Sequence, residues 1–108
     1  MTRQATGTLE LSRRIYAFLR NDFAWQTEDK LTYGELALAI GGIARGMGVG
    51  LAVIQEQCQL KGWPTFTVFV VRKSDGLPGG GCSANTPESV SAALAKVRKQ
   101  DWPTEAWW

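Results

Sequence analysis

The stretch "LTYGELALAIGGIARGMGVGL", Leu31 to Leu51, limits the fold more than any other part of the chain. Thr32 and Glu35 have the spacing of a capping box, and Leu31 and Leu36 that of a hydrophobic staple, so a helix starts at this point. It should end at Gly41 or Gly42 by a glycine C-cap. A further helix is expected from about Ala44 to Leu60, with Met47, Leu51, Ile54 and Cys58 on one face. Cys58 on that face reads as a small buried core residue. Gly46, Gly48 and Gly50 each cost this helix about 1 kcal/mol relative to alanine. A helix accepts that where something must approach its backbone, either another helix or a ligand such as DNA. Helix, tight glycine turn, helix is the outline of a helix-turn-helix.

The remaining segments are expected to enclose this pair. The first eight residues are small and polar and are expected to be frayed. Leu11, Ile15, Phe18 and Leu19 recur at helical spacing between Leu9 and Arg20, with Thr8 as N-cap. Phe23 and Trp25, in the connection that follows, are read as closing the core. After Gly62 the period changes from 3.6 to 2: "TFTVFVVRK" predicts a strand that turns at "SDG" into a hairpin or wing. "LPGGGC" reads as a flexible wing tip. Thr86, with Pro87 behind it, opens a last helix whose inner face is Val90, Ala93, Leu94 and Val97. Lys96, Arg98 and Lys99 suit the C-terminal end of that helix. The tail "DWPTEAWW" carries Trp102, Trp107 and Trp108, which either fold back over the core or offer a sticky peptide to another protein. The whole is expected to be one α+β domain over 1–108, with 1–8 and 101–108 as flexible tails.

Composition narrows the chemistry. The chain contains no histidine, so it has neither the usual proton-transfer group near neutrality nor a Ser-His or Cys-His pair. Cys58 and Cys82 fit no metal-ligand spacing, and no carboxylate pair marks a catalytic site. Binding without catalysis, metal, cofactor or small-molecule substrate is the expectation. No apolar run is long enough for a membrane span, and "MTRQATGTLELSRR" has no signal-peptide core, so a cytoplasmic location is expected. Net charge is only +2, below what bulk nonspecific nucleic-acid binding calls for. Locally, Lys30, Arg45, Lys61, Arg72 and Lys73 face only Glu35 and Glu56 between positions 30 and 73.

Three segments in order, "TYGELALAIG", "ARGMGVGL" and "VVRKSDG", resemble the C-terminal domain of the O6-alkylguanine DNA alkyltransferases and the alkyltransferase-like proteins. The resemblance covers Leu31 to Gly76. It implies a winged-helix domain, helix-turn-helix plus β-hairpin wing, with additional N- and C-terminal helices. It also implies that the third helix enters the DNA minor groove. By that similarity Arg45 stands where the family has the arginine that fills the gap left by a flipped base, and Tyr33 where it has the tyrosine that presses on a phosphate. Gly46 and Gly48 then lie where helix and DNA backbone meet. The family's Pro-Cys-His-Arg site belongs just before Val70, where this chain reads "TFTVF", so alkyl transfer is not expected. Base flipping, which costs a few kcal/mol, has no identified pocket to offset it.

Two functional readings follow. In the first the domain binds DNA, with Arg45 in a groove and Tyr33, Lys61, Arg72 and Lys73 on phosphates. In the second it is a small inhibitor or accessory factor, of phage or mobile-element type, that grips a protein through Trp102, Trp107, Trp108 and exposed apolar residues.

Overall fold

The computed structural model describes residues 2–23, 25, 30–42, 46–74, 76–78 and 86–108, with 2–6 described in their backbone alone. Helix α1 spans Thr2–Ala17 and runs on into a π-helical turn, Phe18–Asp22. The helix therefore begins at Thr2, not after a cap at Thr8, and the expectation of a frayed start is corrected. Arg3, Gln4 and Ala5 are good helix formers, and extending a helix already anchored by Ile15 and Leu19 costs far less than nucleating one.

Helix α2, Tyr33–Ile40, is built as its sequence dictates. The Thr32 hydroxyl accepts from the Glu35 N–H at 3.1 Å, and the Thr32 N–H donates to the Glu35 carboxylate at 2.7 Å. Gly41 ends the helix in the left-handed region at φ 77°. Leu31 and Leu36, the staple pair, are both buried. The link to α3 passes through 43–45, outside the described residues.

Helix α3 spans Met47–Lys61, and its buried face is Met47, Gly50, Leu51, Ile54 and Cys58. It packs chiefly on α1. That contact answers the question of the glycines one by one. A Cβ on Gly50 would stand 2.7 Å from Ile15 Cδ1 and 3.1 Å from Leu11 Cγ, so this glycine admits a helix. A Cβ on Gly48 would meet nothing within 4 Å.

Past Gly62 the structure departs from the expected strand. Phe66–Phe69 forms a 3-10 turn, and only Val70–Val71 (β2) is strand, paired in parallel with Leu31–Thr32 (β1). Phe66, Thr67, Val68 and Phe69 are all buried. A strand would turn alternate side chains outward, and a two-stranded sheet has no further ladder to satisfy the backbone of these four residues; the turn bonds internally instead, as in Val68 N–H to the Thr65 carbonyl. The expected wing is reduced to a tight return with one antiparallel bridge, Val71 to Pro78. Arg72 N–H donates to Leu77, and Gly76 N–H to Arg72. Pro78 has no N–H with which to lengthen the ladder. Gly79, Gly80, Gly81 and Cys82, read as a wing tip, lie outside the described residues.

Helix α4, Pro87–Lys99, starts from Thr86, whose hydroxyl accepts from Ser89 N–H, and buries Val90, Leu94 and Val97. The tail then folds back along α1. Tyr16 donates to the Pro103 carbonyl at 2.5 Å, Arg20 to that of Trp102 at 2.9 Å and Asn21 to that of Thr104 at 3.0 Å. Farther along, Trp108 Nε1 donates to the Ser12 hydroxyl at 2.9 Å, and Arg13 donates to the Trp108 backbone oxygen. Trp102 is buried, with its indole N–H on the Val97 carbonyl. Its ring lies 4.6 Å from Phe66, and Trp107 lies 4.7 Å from Trp63. Residues 102–108 are thus part of the core, not a loose tether. The architecture is α+β: four α-helices and a two-stranded parallel sheet. Among the described residues no helix is long and apolar enough to cross a membrane.

Candidate nucleic-acid interface

Tyr33 is the first residue of α2, and the capping box fixes where its side chain leaves the backbone. It is half-buried and packs in part against the core. Lys73, 40 positions later, follows β2 at the start of the 72–78 return and is exposed. The parallel register, Leu31 to Val70 and Thr32 to Val71, brings the two segments side by side. Together they form an open depression of about 640 Å³, lined by Thr32, Tyr33, Gly34, Glu35, Leu38 and Lys73. The Glu35 carboxylate is tied to the Thr32 N–H, so this acid is engaged inside the protein. Arg72, exposed beside Lys73, adds a second cation at the return.

The other expected contacts are distributed differently. Gly46 is the N-cap of α3 and Gly48 sits in its first turn, with open space where a side chain would be. Lys61 is in the last turn of α3, its ammonium 5.7 Å from the centre of the Trp63 ring, and does not line the depression that holds Tyr33 and Lys73. Arg45 lies outside the described residues. Trp102, Trp107 and Trp108, the contacts expected in the protein-gripping reading, are engaged with α1, Trp63 and Phe66 inside the fold.

Three residues at this surface were not singled out by the sequence. Leu38 is 87% exposed on the rim of the depression. An eight-residue helix with one buried face cannot cover Leu36, Leu38 and Ile40 together, and that was the available signal. Lys30 and Arg98 line a second groove, of about 490 Å³, between the 72–78 return and α4. Lys30 counted only toward local charge, and Arg98 was read as answering the helix dipole.

The two described groups with perturbed titration are remote from this surface. Burial pushes the Cys58 thiol above its ordinary range, against a smaller opposing effect from a Phe66 backbone hydrogen bond. Burial likewise raises the Tyr16 hydroxyl, with Arg20 pulling down and Cys58 adding slightly. Cys58 is a free thiol inside the core, and its environment makes it a poor nucleophile.

Comparison with protein-family models, with curated proteins and with solved structures gives no match. The resemblance to the alkyltransferase domains therefore stands on its three quoted motifs alone.

Proposed function

We propose that this chain is a non-catalytic DNA-binding protein, a reduced winged helix related in plan to the alkyltransferase-like proteins and acting in the cytoplasm. The observation that carries the reading is the meeting of Tyr33 and Lys73 in one open depression, with Arg72 adjoining. A phenol hydroxyl and two cations fixed by a cap and a strand pair are a phosphate-binding set. The open backbone at Gly48 agrees with a DNA strand passing the first turn of α3, and Arg45, two residues before Met47, is the groove contact in this reading. Leu38, exposed on the same rim, supplies an apolar surface of the kind that minor-groove binders set against base steps.

Absence of histidine and burial of Cys58 both speak against covalent chemistry, so the proposed role is binding alone. The protein-gripping reading draws less support, because its three tryptophans are engaged in holding the tail to α1. The test is fluorescence anisotropy of the full chain with a labelled duplex from 50 to 200 mM salt. Saturable binding that weakens linearly in log salt supports the proposal. No binding at 50 mM salt contradicts it.

A further inference from the structure

The groove between the 72–78 return and α4 is separate from the depression at Tyr33, yet the two share a ridge. Residues 30–34 and 73–77 form that ridge: Lys73 and Tyr33 face one side, and Lys30, Gly76 and Leu77 line the other. Lys30 reaches across the return, its Nζ 3.8 Å from where a Cβ on Gly76 would lie. Gly76 has φ 68°, a left-handed conformation, so this place in the return favours glycine and stays low beneath the lysine. On the opposite wall stands Arg98 of α4, its Nε donating to the Trp25 carbonyl at 3.3 Å, which orients the guanidinium. Val90 and Leu94 form an apolar floor, and Ser91 contributes an exposed hydroxyl. Among the described residues lining this groove there are two cations and no carboxylate.

We infer that this groove carries a second stretch of nucleic-acid backbone, continuing over the ridge from Lys73 to Lys30 and on to Arg98. The inference rests on the DNA-binding reading and extends it. An enclosed cavity would favour a small anion, since small-ligand sites bury most of their ligand. This groove is open along its length, and its cations stand on opposite walls with a third cation, Lys73, across the ridge. Charge spread in that way fits a polyanion, which carries a phosphate at regular intervals, better than a single phosphate.

The experiment compares wild type, Lys30→Gln and Lys73→Gln as full chains, by anisotropy with a 16-base-pair duplex. Lys30 is exposed, so its replacement leaves the fold standing; thermal unfolding of the variant checks this. One phosphate contact corresponds to about 0.9 in the slope of log affinity against log salt, hence to roughly eightfold in affinity at 0.1 M salt. Lys30→Gln is expected to lose that factor and to flatten the slope by about 1, as Lys73→Gln does. If Lys30→Gln binds like wild type while Lys73→Gln is weakened, the second groove is idle and this inference falls, but the DNA reading survives. If wild type does not bind the duplex, or neither variant differs from it, both fall. Calorimetric titration with inorganic phosphate covers the remaining occupant. Saturable phosphate binding that Lys30→Gln abolishes, with duplex affinity unchanged, makes the groove a small-anion site and overturns the inference.

Discussion

Gly50 and Ile15 approach so closely that a Cβ at position 50 would stand 2.7 Å from Ile15 Cδ1. Ile15 is wholly buried, so its terminal methyl cannot swing aside without displacing other core atoms. Gly48, two residues earlier, has no such neighbour. The two glycines of one helix therefore have different causes: one makes room for α1, and the other opens onto the surface.

Alanine should separate them by sign. Gly48→Ala gains helix propensity and should be neutral or stabilising by up to about 1 kcal/mol. Gly50→Ala makes the same gain but overpacks against Ile15 and Leu11, at a cost of about 1 to 3 kcal/mol, and should lose stability on balance. Urea unfolding of both variants decides it. Equal effects would mean that α1 does not rest on Gly50.

The tail offers a second pair of opposite outcomes. Trp102 is buried and its indole N–H meets the Val97 carbonyl, whereas the buried Trp107 Nε1 has no partner. Trp102→Phe should lose a hydrogen bond and packing volume, about 1 to 3 kcal/mol. Trp107→Phe removes an unsatisfied donor and should cost much less, although it also gives up some ring contact. Thermal unfolding that ranked Trp107→Phe as the more damaging would contradict the latch described for residues 102–108.

Stability should also fall in alkali. Cys58 and Tyr16 both hold their protons more tightly folded than unfolded, because burial disfavours their anions. Their contribution is complete below the ordinary values of 9.0 and 10.0 and is lost as pH rises above them. Unfolding free energy should therefore decline from about pH 9 upward, and Cys58→Ala, though less stable at pH 7, should show a shallower decline. A variant with the same alkaline slope as wild type would rule out Cys58 as a source.

The cap of α2 links stability to the site. Thr32→Ala removes the hydroxyl that accepts from Glu35 and should cost about 1 kcal/mol. Because Thr32 also lines the depression, duplex affinity should be measured well below the unfolding temperature, where the folded fraction is expected to bind normally. Unchanged unfolding would mean that the cap is not formed.

Both helix starts with a side-chain cap were legible in the sequence, Thr32 with Glu35 and Thr86 with Pro87, because capping is settled within four residues of chain. So was the inner face of α3, whose 3.6-residue period tolerates no other reading. What failed depended on partners distant in sequence. Alternation in "TFTVF" reads as a strand, but a strand needs a neighbour for every residue, and β1 supplies only Leu31 and Thr32. The fate of the tryptophans was equally hidden, since the carbonyls of residues 102–104 find Arg20, Tyr16 and Asn21 more than 80 residues away. The candidate site was partly readable: Tyr33 and Lys73 stood out singly, while the parallel pairing that unites them, and with it Lys30 and Arg98, did not. Lys61 was grouped with them by charge alone, and the fold sets it beside Trp63 instead.

The central claim is that Tyr33 and Lys73 form one phosphate-binding site, and a double-mutant cycle on duplex affinity tests it most directly. Tyr33→Phe removes only a hydroxyl, and Lys73→Gln only a charge. Each should weaken duplex binding without lowering thermal stability by more than about 0.5 kcal/mol. The double variant should lose less than the sum of the two, by a coupling of about 0.5 kcal/mol or more, because groups serving one phosphate are not independent. Full affinity in both single variants, or losses that add without coupling, would contradict the account.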